Sequence, residues 1–212
     1  MRSVFKLIIV VFIVFSAPLH AQESDSADDH QAVIPDNSMS VEAVADVPLA
    51  VSQENKDLEV RANAGDAEAQ AQLGDIYAKG EGVVQDSALA VKWWEKAAQG
   101  GHAPSQYNLG VKYARGDGVT RSDKQAIQWW ERAAKAGHKY AQYNVALKYL
   151  RGEGTLKNTQ RAYAWFVCAA AQGVGEAQRA VAHLNENLDA DTLVDAKDLS
   201  QTYRLVYVPT KI

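Results

Sequence analysis

One spacing constrains this chain more than any other feature. Gly65, Gly101, Gly137 and Gly173 stand 36 residues apart. The same interval links Gly74 with Gly110, Ala146 and Ala182, and Tyr77 with Tyr113 and Tyr149. It also links the pairs Gly80/Gly82, Gly116/Gly118 and Gly152/Gly154, and the aromatic pairs Trp93-Trp94, Trp129-Trp130 and Trp165-Phe166. So many coincidences at one period make this a repeat protein, built from a supersecondary unit that cannot bury both its faces alone.

Each unit reads as two helices. The first runs from about Ala67 to Lys79, with Ala69, Leu73, Gly74 and Tyr77 on one side. Gly80 ends it, because glycine adopts the left-handed conformation that a helix C-terminus favours. Asp86, Ser122 and Asn158 are expected N-caps of the second helix, whose free amides their side-chain oxygens can meet. That helix carries Ala90, Trp93, Trp94, Ala97 and Ala98, so small residues allow close approach and a large ring fills the gap beside them. Three full units follow, 65–100, 101–136 and 137–172. Residues 57–64 are a degraded second helix without tryptophan, and 173–188 a degraded first helix with Asn185 in the tyrosine position. Asp189 or Asp191 then caps a last helix to about Tyr203. The repeat domain is placed at 57–206, with a tail at 207–212.

The string AEAQAQLGDIYAKGEGVVQDSALAVKWWEKAAQGG, repeated as APSQYNLGVKYARGDGVTRSDKQAIQWWERAAKAGH, closely resembles Sel1-like repeats, which are related to tetratricopeptide repeats. The resemblance covers roughly residues 57–187. It implies an all-α fold, a right-handed αα-superhelix of helix-turn-helix repeats, acting as an adaptor or scaffold between proteins.

The segments before the repeats differ in kind. Arg2 and Lys6 precede an apolar run from Leu7 to Phe15 and the small residues Ser16, Ala17 and Ala21, the pattern of a secretory signal peptide cleaved after Ala21. That run falls short of the roughly 20 apolar residues a membrane span needs. An exported, periplasmic protein is expected, with no membrane span in the mature chain. Residues 22–57 then hold nine acids, one base and no aromatic residue. A segment with so little to bury reads, over 22–56, as a disordered acidic linker.

Little here points to chemistry. The formal net charge of −4 gives no reason to expect a nucleic acid. A single cysteine excludes an internal disulfide framework and a cysteine-based zinc cluster. No Walker loop, HExxH, GxSxG or CxxC motif occurs. Asp28-Asp29-His30 is part of a charged segment rather than a metal site, and Arg115-Gly116-Asp117 shares its repeat position with Lys79-Gly80-Glu81 and Arg151-Gly152-Glu153. His102 and His138 share a position at the start of a first helix, which suggests a role in helix entry. Cys168 replaces Lys96 and Arg132; burial under the last helix is expected for it, the alternative being a wet thiol that could form an intermolecular disulfide. Some relatives with cysteine-paired repeats bind or hydrolyse β-lactams. This chain has one cysteine, and no SxxK pair follows its leader, so the resemblance to an enzyme is weak.

The expected function is a non-catalytic protein-protein interaction scaffold, with no cofactor and no metal. A second reading is a structural component of an envelope machine, such as a flagellar stator ring. First helices line the concave side in the family this chain resembles. At about 100° per residue, the side of the first helix opposite Leu73, Gly74 and Tyr77 holds Ala71, Asp75, Ala78 and Lys79. Carried through the repeats, the candidate partner-binding groove comprises Lys79, Tyr107, Val111, Arg115, Tyr140, Tyr143, Leu147, Leu150 and Arg151. It is expected to become more apolar towards the third repeat, with a basic margin suited to a peptide carrying acidic residues.

Overall fold

The computed structural model describes residues 53–209. The signal peptide, residues 22–52 of the acidic segment and residues 210–212 lie outside them. The described residues form nine α-helices and no strand. These are α1 (Gln53–Asn63), α2 (Ala67–Lys79), α3 (Ser87–Gln99), α4 (Ala103–Arg115), α5 (Asp123–Lys135), α6 (Lys139–Arg151), α7 (Thr159–Ala171), α8 (Gly175–Asn187) and α9 (Ala190–Tyr207). The result is an all-α solenoid in which α2/α3, α4/α5 and α6/α7 are the three units. Helix α1 begins at Gln53, four residues inside the segment read as linker.

Local chemistry sets the boundaries. Asp86, Ser122 and Asn158 cap α3, α5 and α7 by accepting from the amides of Leu89, Gln125 and Arg161. Such a cap stabilises a helix by about 1 kcal/mol. Asp66 caps α2 in the same way, but the first helices of the second and third units use a different acceptor. The Nδ1 atoms of His102 and His138 accept from the amides of Ser105 and Ala141 at 3.3 and 3.2 Å, the helix-entry role their shared position suggests. Burial holds the His138 imidazole below its ordinary pKa, which keeps that nitrogen free to accept.

Within a unit the second indole lies on a missing side chain. A Cβ added at Gly74 or Gly110 would run into the ring of Trp94 or Trp130. In the third unit Ala146 fills that place, and the ring opposite shrinks to Phe166, itself fully buried. Between units, Gly118 lies against the backbone of Ser87 and Gly154 against that of Asp123. Lys148 closes the second of these joints by donating to Asp123 and Glu153 at 2.6 and 2.8 Å. Lys112 does the same at the first joint through Asp117 and Ser87.

A glutamine, buried at positions 70, 106 and 142 and exposed at 178, adds a tie at each step. The Nε2 atoms of Gln70, Gln106, Gln142 and Gln178 donate to the carbonyls of Ala62, Ala98, Ala134 and Ala170, each eight residues back. Four first helices are thus tied to the C-termini of the second helices before them.

The far end departs from the pattern. Asp189 caps α9, which continues to Tyr207, four residues past the expected end. Instead of pairing with α8 as a fourth second helix would, α9 packs back along α7 and reaches the end of α5. Tyr203 and Tyr207 close over Trp165 at ring distances of 4.8 and 5.2 Å. Cys168 is fully buried beneath this helix, and desolvation pushes its thiol pKa up to about 12. No helix among the described residues is long and apolar enough to cross a membrane.

Candidate functional site

The site grows out of the first helices. Successive first helices lie side by side, joined through the second helices behind them, and between α2 and α4 they leave a groove of about 450 Å³. Ala78, Tyr107 and Val111 give its apolar surface, and Trp94 shows through from α3. The Trp94 indole N–H is not spare, because it donates to Asp75 Oδ1 at 3.0 Å. Lys79, Lys112 and Arg115 supply positive charge around this surface, against the single carboxylate of Asp75.

These three cations are not equivalent. Lys79 pairs with Glu81 at 3.3 Å, and in the third unit Arg151 pairs with Glu153 at 3.8 Å. Asp117 holds the same loop position in the second unit, but it is one methylene shorter and is drawn to Lys112. Hydrogen bonds from Lys112 and Ser87 hold the Asp117 carboxyl below its ordinary range. Among the described residues Arg115 is therefore left without an ion pair of its own, on the edge of an apolar groove.

Tyr107 is half-buried, and its ring stacks on that of His138 at 4.5 Å. Desolvation raises its hydroxyl pKa, so the group stays a neutral donor and acceptor. Tyr140, 49% exposed, lies 6.4 Å from the Tyr107 ring and extends the aromatic surface towards α6.

Four of the residues expected from the sequence (Lys79, Tyr107, Val111 and Arg115) thus line one groove, and Tyr140 adjoins it through Tyr107. Tyr143, Leu147, Leu150 and Arg151 sit one repeat further on. There Tyr143 packs against Phe166 at 5.7 Å, and Leu147 and Leu150 are half-buried against the core. Part of their apolar surface is used in holding α6 to its neighbours. Ala71, placed by the helical wheel on the open side, is buried at 5% exposure, because a methyl group does not reach past its neighbours. The groove also contains Asn108 and Lys112, which the wheel did not single out. Their signal was present: Asn108, Lys112 and Arg115 follow at intervals of four and three, one helical face.

Residues 67–102, 103–138 and 139–174 each match the Sel1 repeat family. The solved Sel1 repeat protein from Oxalobacter formigenes is similar over 62% of this chain and 99% of its own length, at 36% identity and a TM-score of 0.59. A protective antigen of uropathogenic Escherichia coli with an SLR fold is similar over 74% of this chain, at 32% identity and a TM-score of 0.66. The match takes in only 34% of that longer antigen. No curated protein matches the chain.

Proposed function

Because the chain belongs to the Sel1 repeat family, whose members are generally protein-interaction scaffolds, we propose that it is a periplasmic, non-catalytic adaptor. It captures a protein segment along the groove between α2 and α4. The observation that carries this reading is the conjunction at that groove of half-buried aromatic and aliphatic surface with an arginine that has no ion pair among the described residues. Tyrosine and arginine are residue types that dominate binding energy at interfaces. An apolar strip with a cationic edge favours a segment that brings aliphatic or aromatic anchors together with acidic residues.

Export is supported by Arg2 and Lys6 ahead of the Leu7–Phe15 apolar run and by Ala21 at the cleavage position. Mature protein purified from cells should begin at Gln22.

The groove is tested by replacing Val111 with Asp and Arg115 with Glu together. Both side chains face the groove, and neither is fully buried. With helical content checked by circular dichroism, in-cell crosslinking of parent and variant is compared by mass spectrometry. Loss of specific captured proteins from the folded variant supports the site. Equal capture by both rejects it.

A further inference from the structure

The opposite side of the solenoid carries a second surface. The first tryptophan of each pair sits on the second helices, at Trp93, Trp129 and Trp165. Trp165 is 3% exposed because α9 lies over it with Tyr203 and Tyr207, two rings one helical turn apart. Trp129 and Trp93 hold the same register in the earlier repeats, pack against the core and are only partly buried. A cation lies over each ring, Arg132 at 4.7 Å from the Trp129 centroid and Lys96 at 4.0 Å from that of Trp93. We propose that the face over Trp93 and Trp129 docks an amphipathic helix from a partner protein, one that carries two aromatic residues a turn apart and a carboxylate next to the second.

The chemistry of that helix follows from how the chain's own α9 is held. Arg204, beside the tyrosine pair, lies close enough to Cys168 to act on it electrostatically. Arg132 and Lys96 occupy the Cys168 position in the earlier repeats, so a helix with arginine there would meet like charge. A glutamate at the same place would pair with either cation and leave the aromatic rings free to pack on tryptophan. Residues 22–52 contain no aromatic residue, so that segment of the chain cannot supply the pair.

A second, independent observation marks the same place. In the third repeat the Gln142 amide is fully used. Its Nε2 donates to Ala134 and to the Tyr207 carbonyl of α9, while its Oε1 accepts from Gln172. In the second repeat Ala136 replaces Gln172, and no α9 is present. The equivalent Gln106 keeps only its bond to Ala98, and its Oε1 is buried without a partner. Gln106 thus lacks two things its counterpart has: the donor to Oε1 that Gln172, within the repeat, supplies to Gln142, and the carbonyl acceptor that Tyr207 of α9 gives to the Gln142 Nε2.

The probe is a fluorescein-labelled peptide of residues 189–209 carrying Arg204→Glu, stapled between positions 201 and 205 to hold it helical. Both stapled positions are exposed on α9. Fluorescence anisotropy against the full mature chain should show saturable binding, about tenfold tighter than for the peptide with Arg204 retained. Arg132→Glu, an exposed substitution, should reverse that preference, and Trp129→Ala should abolish binding. Failure of the Glu peptide to bind, or binding indifferent to Trp129→Ala, overturns the proposal. Tighter binding of the unmodified α9 sequence at Trp129 would make the occupant a second copy of this chain and would likewise overturn it.

Discussion

The second and third repeats share one backbone plan and use it in opposite ways. In the second, Trp129 is only partly buried under Arg132, the Gln106 Oε1 has no partner, and Arg115 has no ion pair among the described residues at the edge of a groove. In the third, Trp165 lies under two tyrosines, Gln142 is fully satisfied, Cys168 is buried, and Tyr143 packs against Phe166. Among the many positions at which the two repeats differ, Arg132 to Cys168, Ala136 to Gln172 and Trp130 to Phe166 bear most directly on these two states. The same pair of helices thus serves as interior or as surface according to the side chains it carries and whether α9 lies over it. The third repeat with α9 behaves as a terminal core, and the second is the open one.

The largest expected effect comes from opening the closed repeat. Replacing Tyr203 and Tyr207 with Ala together removes the cover from Trp165 and should destabilise the protein by about 3–4 kcal/mol. Cys168, inert to a thiol reagent in the parent, should then label within minutes in the native state. A parent-like unfolding curve with an unreactive thiol would show that α9 is not what closes this repeat.

An intermediate effect is expected at the indole seat. Gly110→Ala drives a methyl group into Trp130 and should destabilise by about 2–3 kcal/mol. The third repeat already contains the compensated pair, Ala146 with Phe166. Trp130→Phe in the same chain should therefore recover at least half of the loss, as read from a double-mutant cycle by denaturant unfolding. Additive effects would mean that the two repeats do not exchange parts as described.

A smaller effect separates the repeats by pH. The His138 imidazole caps α6 in its neutral form, and burial lowers its pKa in the folded state. Its contribution is complete above the unfolded value of about 6.5 and is lost as the pH falls below that value, since the unfolded chain takes up the proton first. The thermal midpoint should drop between pH 7 and pH 5. His138→Asn, which caps without titrating, should flatten that drop, with a difference below about 1 kcal/mol.

Much of this architecture was legible in the sequence because a period is a global constraint. Once Gly80, Gly116 and Gly152 fix the turns, α2 to α7 follow within a residue or two, and the caps at Asp86, Ser122 and Asn158 follow from their side-chain oxygens. The path of α9 was legible only in part: Cys168 in place of Lys96 and Arg132 pointed to cover by the last helix, but not to its course along α7. Tyr203 and Tyr207 give the same apolar stripe whether that helix packs on α8 or folds back on α7, and only the three-dimensional fit decides. The glutamine tie was written at positions 70, 106, 142 and 178, but a carbonyl eight residues earlier becomes its partner only when two helices meet. At the groove, the wheel found the open side of each first helix. It could not weigh how much of Tyr143, Leu147 and Leu150 the neighbouring helices use, because that depends on helices outside the repeat.

The central claim is that the open repeat, rather than the more apolar third one, captures the partner. Val111 and Leu147 occupy the same repeat position and test it directly. A photo-crosslinking amino acid is placed at each in turn, in cells, on otherwise unchanged protein. The account predicts a discrete crosslinked species from position 111 and none of that mass from position 147. The reverse pattern would place the partner on the third repeat and contradict the division between open and closed repeats.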